Sequence, residues 1–337
     1  MMTANLKKKL STLFISGFVA ASLSAPAMAE DGFPDRPISV VVAYGPGGAT
    51  DFQARIVTMM AGAVDSEGKG KYLGGQPIVV INRPGAGGQV GWNNFVTKAK
   101  PTGYELASYN VPHFIAQSIA FPKKVKYNID NLEPVANWGA DPAVFIVGKD
   151  SKFNSMADVV AFAKENPGKL TVSGAGLYVG HHIAALQFDK AAGVETKYVP
   201  AGGGVKAMQF VMGGQTMGGF NNLSDAFRNQ DRVKILGVAD LERTKEFLPD
   251  VPTLMEQGID VDDSSVNFRG IMAPKGTPQE TIDYLAERVH MMFGDKRVAG
   301  KMTAGGSPLR IMDRAAVQEM WKKRQAYLTG LLADLKK

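Results

Sequence analysis

The stretch "PISVVVAYGPGGATDFQARIVTMMAGAV", residues 37–64, constrains the chain more than any other. A short run rich in β-branched residues breaks at a Gly-rich turn and passes into a segment with helical spacing. A strand buried on both faces reads as such a run, and the step into a helix is the βα unit of an α/β protein. The pattern recurs along the chain. Strands are expected at 38–44, 77–83, 104–110, 143–148, 170–174, 195–200, 234–240 and 268–274. Helices are expected between them at 52–64, 88–99, 111–120, 155–165, 181–192, 203–212 and 278–293, with an amphipathic helix from residue 314 to the end. This alternation predicts two doubly wound α/β units, and many of the 38 glycines fall where strands end.

The first residues, "MMTANLKKKLSTLFISGFVAASLSAPAMAE", place three lysines before an apolar run from about Leu10 to Leu23 and small residues before Glu30. This is the layout of a cleaved secretory leader, with cleavage expected after Ala29 and the mature protein in the periplasm. The apolar run is shorter than the roughly 18 to 20 residues a membrane span needs. Removing 29 of 337 residues leaves 308, and losing Lys7, Lys8 and Lys9 takes the formal charge from +6 to +3. That modest charge, without basic stripes interleaved with aromatics, gives no support for nucleic-acid binding. The chain has no cysteine, which excludes disulfides, thiolate metal sites, a cysteine nucleophile and a lipid anchor on cysteine.

The opening turn, Tyr44 to Asp51, raises the question of what it holds. A Gly-rich loop entering a helix leaves backbone N–H groups unpaired at the positive end of the helix dipole, which suits phosphate or carboxylate. Thr50 with Gln53 three residues on is a cap candidate, and Asp51 suits a first helical turn better than contact with an anion. Ser155 with Asp158 forms a second capping pattern, and "NPG" at 166–168 ends that helix.

Catalytic signatures come close and fail. "GAGLYVG", residues 174–180, spells G-x-G-x-x-x-G, one residue too long for a dinucleotide fingerprint, although Glu195 lies where a ribose-binding acid would be sought. "GAVDSEGKG", residues 62–70, has the wrong spacing for a P-loop, and neither G-x-S-x-G nor H-E-x-x-H occurs. His181 and His182 are adjacent, so on a helix they diverge by about 100 degrees rather than pairing on a metal. His181 is read as a ligand contact or a cap. Anion-binding turns without a catalytic group favour a binding protein, needing neither metal nor cofactor, over an enzyme.

Several segments, "FPDRPISVVVAYGPGGATDFQAR" (33–55), "PIVVINRPGAGGQVG" (77–91), "KPTGYELASYN" (100–110), "ENPGKLTVSGAGLYVGHH" (165–182), "LPDVPTLMEQGI" (248–259) and "GIMAPKGTP" (270–278), occur in one order. Together they resemble the substrate-binding proteins of tripartite tricarboxylate transporters, the Bug receptors. The resemblance implies a type II-like periplasmic binding protein: two α/β lobes joined by crossing strands and closing over a small carboxylate, delivered to membrane permease subunits by a monomeric receptor. It implies lobe limits of 30–140 with 238–337 for the first lobe and 141–237 for the second. It also implies ligand loops at Tyr44, Gly47, Gly48, Ala49, Thr50 and Asp51, and at Ser173, Gly174, Ala175, Gly176, Leu177, Tyr178 and His181.

Asn110 and Asn221 could add amide contacts or serve as turn residues, and Tyr44 and Tyr178 could wall the pocket or belong to the core. The sequence departs from the family pattern at "VPAGGG" (199–204), where V-P-Y-K-G-G-G is common, so Ala201 and Gly202 replace an aromatic and a basic residue. It departs again at Met217 and at Phe268. The competing readings are an exported nucleotide-dependent oxidoreductase built on "GAGLYVG", and a binding protein that reports to a sensor.

Overall fold

The computed structural model describes residues 32–334; the leader expected at 1–29 lies outside them. The chain begins with β1 (Ile38–Val42), α1 (Ala49–Thr58), β2 (Ile78–Asn82), α2 (Gln89–Lys98), β3 (Glu105–Val111), α3 (His113–Ala120) and β4 (Leu132–Asp141). After Pro142 it continues through β5 (Ala143–Gly148), α4 (Met156–Glu165), β6 (Leu170–Gly174), α5 (Gly180–Ala192) and β7 (Thr196–Pro200). Next come α6 (Gly204–Met212), β8 (Gly218–Asn222), α7 (Leu223–Phe227) and β9 (Val233–Ala239). It returns with β10 (Asn267–Pro274), α8 (Gln279–Phe293), α9 (Lys296–Ala304), β11 (Leu309–Met312) and α10 (Arg314–Asp334).

These elements form two α/β lobes, each around one mixed sheet. The first has six strands in the order β11-β4-β10-β3-β1-β2, and the second five in the order β7-β6-β8-β5-β9. The β1, β2 and β3 strands are parallel, as their intervening helices require, while β10 runs antiparallel to both β3 and β4. In the second sheet β6 is parallel to β7 and β8, and β5 is antiparallel to β8 and β9. The chain therefore crosses between sheets at Pro142 and again between Ala239 and Asn267.

The expected strands fall within about two residues of the observed ones, because each is an apolar run ended by turn residues. Three strands escaped the sequence reading, for identifiable reasons. In β4, "LEPVANWGAD", the register against β10 shifts twice, leaving Val135 and Trp138 as extra residues beside Pro134 and Gly139, so neither period nor composition looks like a strand. In β8, "GGFNN", the paired glycines give no strand signal. They are strand residues in close contact: a Cβ on Gly219 would lie 2.6 Å from Ser173 Oγ, and one on Gly218 2.8 Å from the Phe145 ring. The third, β11, is only four residues long.

The side chains of β5 alternate between two cores, with Phe145 and Val147 on one face of the second sheet and Val144 and Ile146 on the other. Phe247 and Leu248 pack on the second of these faces, and Leu254, Ile259 and Val261 on the first, so much of the return segment covers the second lobe before β10 re-enters the first. The α4 helix starts as its sequence requires: Ser155 Oγ accepts from Asp158 N and the Asp158 carboxylate accepts from Ser155 N. Thr50 does not cap α1. The helix begins earlier than expected, Gly48 is its N-cap, and no side chain bonds to its first N–H groups. No helix among the described residues is long and apolar enough to cross a membrane.

Candidate functional site

A cavity of about 290 Å³ lies between the lobes, at the ends of strands from both sheets. From the first lobe it is lined by Tyr44, Gly48, Ala49 and Thr50, which carry the chain from β1 into α1, and by His113 at the start of α3. The second lobe contributes Ala175 and His181 at the β6 to α5 turn, then Ala201 to Lys206 before and within α6, then Asn222 and Asp225 after β8. Asn267 lines it where β10 begins.

The residues of the opening turn divide sharply. Gly48, Ala49 and Thr50 line the cavity, which puts the uncapped start of α1 at its wall. Gly47 and Asp51 do not line it. The Gly47 N–H donates to Asp51 Oδ2 at 2.9 Å, and Asp51 Oδ1 accepts from Arg55 Nε and Asn82 Nδ2, both at 2.9 Å. Asp51 thus shapes the turn from behind.

In the second lobe Ser173 is a strut, its hydroxyl donating to Ala207 O at 3.0 Å. Gly174 O accepts from Ala201 N and Gly176 O from Tyr198 Oη, so the "GAGLYVG" turn is clasped by its own lobe. Leu177 turns a partly exposed side chain outward, and Tyr178 packs on Phe121 and His182. Of this loop, Ala175 and His181 reach the cavity. Asn221 sits behind it, donating to Gly204 O at 3.1 Å and accepting from Asn222 N. Of the family departures, Ala201 and Gly202 line the cavity; Met217 lies at the far end of β8, and Phe268 carries the guanidinium groups of Arg310 and Arg324 on its ring.

The histidines are clamps. His181 Nδ1 accepts from Ala175 N at 3.1 Å, and His182 Nδ1 accepts from Tyr178 N at 3.0 Å, so each ring must be unprotonated at Nδ1. Burial depresses both to about 4, with Asn222 partly offsetting the effect on His181. Burial, with His181 and Arg269 nearby, also holds His113 well below the ordinary histidine value. All three rings are therefore neutral at pH 7.

Sequence reasoning missed Arg269, the fully buried cation behind the cavity. Its Nη1 donates to Asp141 Oδ2 at 2.6 Å and to Gln53 Oε1 at 3.2 Å, its Nη2 to Asn222 Oδ1 at 2.7 Å, and its Nε to Thr50 Oγ1 at 3.2 Å. Asn110 extends this network, donating to Thr50 Oγ1 and to Asn267 Oδ1. A charge inside the apolar run "FRGIMAP" was the signal available. Asp225 is likewise paired, with Arg228 at 2.5 Å, and burial still pushes its carboxyl up. Lys206 stands exposed at the rim. The cavity is therefore bordered by an uncapped helix start and by neutral histidine and amide side chains, with its buried ions already paired. Among the described residues no group of three or more histidine or acidic side chains is arranged to hold a metal.

The family model described as the tripartite tricarboxylate transporter family receptor matches residues 63–307. A UPF0065 protein from the tcbD-tcbE intergenic region of Pseudomonas sp. (strain P51) is 31% identical over 326 residues, covering 92% of each chain. The solved periplasmic binding protein BugD is 25% identical with a TM-score of 0.78, over 90% of this chain and 99% of that one. MatC from Rhodopseudomonas palustris, solved with bound malate, is 25% identical with a TM-score of 0.77, over 89% and 99%. The chain belongs to the receptor family of the tripartite tricarboxylate transporters, the Bug receptors, whose members are solute-binding proteins.

Proposed function

We propose that this protein is a periplasmic receptor that captures a small organic carboxylate between its lobes and delivers it to a tripartite tricarboxylate-type permease, without catalysing a reaction. The observation that carries this reading is the uncapped N-terminus of α1 opening into an interlobe cavity of about 290 Å³, a volume that suits a small organic acid. Malate in the related MatC supports the ligand class.

The carboxylate meets the N–H groups from Gly48 to Thr50, with Tyr44 and Ala175 as walls and His181 facing from the second lobe. Asp51, Asn110, Ser173 and Asn221 hold the binding residues in place. Each favourable charge contact at a helix N-terminus contributes about 0.3 to 2 kcal/mol, while micromolar affinity needs about 8 kcal/mol, so contacts from both lobes are required. The lobe limits 30–140 with 238–337 and 141–237 belong to the same proposal, with residues 247–261 reassigned to the second lobe on the strength of their packing. So do cleavage after Ala29 and a monomeric state.

The test is calorimetry and thermal shift on the chain from residue 30, against mono-, di- and tricarboxylates, amino acids and NAD. A carboxylate that binds with micromolar affinity and raises the Tm in proportion to its concentration is the expected result. Stabilisation by NAD alone would overturn the reading.

A further inference from the structure

At one corner of the cleft the two lobes also touch through residues that do not line the cavity. On the first lobe, Gln117 of α3 is fully buried; its Nε2 donates to Gly87 O at 3.0 Å, and its Oε1 accepts from Tyr127 Oη at 2.8 Å. The same Nε2 reaches across the cleft to Leu177 O at 3.2 Å. Gly87 O also accepts from Tyr44 Oη at 3.0 Å, which ties this corner to the cavity wall. Beside it, Phe121 and Tyr178 meet edge to face across the lobes with ring centres 5.1 Å apart.

Two further observations single out this corner. Among the described residues, the two non-glycine residues in the left-handed backbone region are Ala86 (φ 48°) and Tyr178 (φ 53°), one on each side of it. Residues held in that sparsely populated region cluster where the surrounding structure imposes a geometry for a purpose. Between them the two backbones meet without side chains: a Cβ on Gly176 would stand 2.9 Å from Gly87 Cα, closer than real contacts allow. Gly176 lies outside the left-handed region, so its own backbone accepts alanine. What forbids a side chain there is the other lobe.

We infer that Gly87 and Gln117 on one lobe and Gly176 to Tyr178 on the other form a latch that keeps part of the ligand-free population closed. Gly176 is the position at which closure is sterically read. These are positioning residues: they act on affinity through the lobe equilibrium and touch no ligand. Their use to a receptor rests on the reading above, but the latch itself does not.

The natural absence of cysteine makes the test clean. Nitroxide labels on Lys98→Cys in α2 and Lys190→Cys in α5, both at exposed positions on different lobes, report the interlobe distance by pulsed electron resonance without any ligand. The labelled protein should show a short and a long distance. Gly176→Ala should shrink the short-distance population by about tenfold or more, as overpacking of a tight contact predicts. Gln117→Leu should shrink it about fivefold through the lost hydrogen bond, and serves should Gly176→Ala fail to fold. A single long distance in the parent protein, or unchanged distributions in the variants, would overturn the latch. Because no ligand is present, failure to bind any carboxylate would overturn the receptor reading and leave this result standing.

Discussion

The starts of α1 and α5 look alike in sequence, each a Gly-rich turn after a strand, yet they treat their backbone differently. At α1, Gly48 provides no side-chain cap and the residues of the first turn, Ala49 and Thr50, line the cavity. At α5, whose first N–H groups likewise have no side-chain cap, the loop ahead of the helix is held twice: His181 takes the Ala175 N–H and His182 takes the Tyr178 N–H. In each turn a side chain from the first turn of the helix holds a backbone N–H ahead of it, Asp51 that of Gly47 and His181 that of Ala175, but at α5 a second one, His182, also holds the N–H of Tyr178. The following residues decide this, and the second histidine after "LYVG" is the difference.

The largest expected effect concerns the support shared by both faces. Arg269→Leu leaves the Asp141 carboxylate buried without its cation, and should lower the unfolding free energy by about 3 to 5 kcal/mol in a urea titration. Next come the clamps of α5. The folded values of His181 and His182 are depressed to about 4 from 6.5, so the neutral rings stabilise the fold above pH 6.5, and that stability is lost as pH falls from 6.5 through 4. His182→Ala should remove about 1 to 3 kcal/mol at pH 7.5 by leaving the Tyr178 N–H without its acceptor, and should flatten the decline between pH 6.5 and 4. Equal slopes for parent and variant would deny that His182 is a clamp.

A substitution at the other turn should have the opposite signature. Gly48→Asp supplies α1 with the cap it lacks, stabilising the fold by a few tenths of a kcal/mol while weakening carboxylate binding by about tenfold through charge repulsion and occupied N–H groups. Calorimetry alongside thermal melts would reveal that split. If stability and affinity move together, α1 is not the open end. The smallest effect belongs to Lys206→Gln at the exposed rim, where affinity should fall less than about threefold in 0.15 M salt and more at low salt.

Much of this was legible in the sequence because the signals are local. The run "ISVVV" and the turn after it identify β1 and the start of α1, and "SMAD" announces the cap of α4. The segments matched to the family carried the two-lobed arrangement, which composition would not have given. What escaped depends on partners distant in sequence. Gly218 and Gly219 carry no strand signal until Phe145 and Ser173 are seen against them, and β4 hides behind bulges imposed by β10. Asp51 and Asn110 are polar residues beside a ligand loop, and only Asn82, Arg55 and Asn267 reveal that they brace it. Thr50 was misread as a cap because the guanidinium that engages it is 219 positions away.

The place of β10 in the first sheet has a consequence for how the protein is made. It lies between β3 and β4, yet it is synthesised only after the whole second lobe. Until residue 267 has emerged, β1, β2 and β3 form one fragment and β4 stands apart, each with a bare edge and no common core. A chain stopped short of that point would hold the parts of its first lobe without a sheet to join them, and contacts this distant in sequence make for slow folding. The late strand thus keeps the first lobe unfinished for most of synthesis.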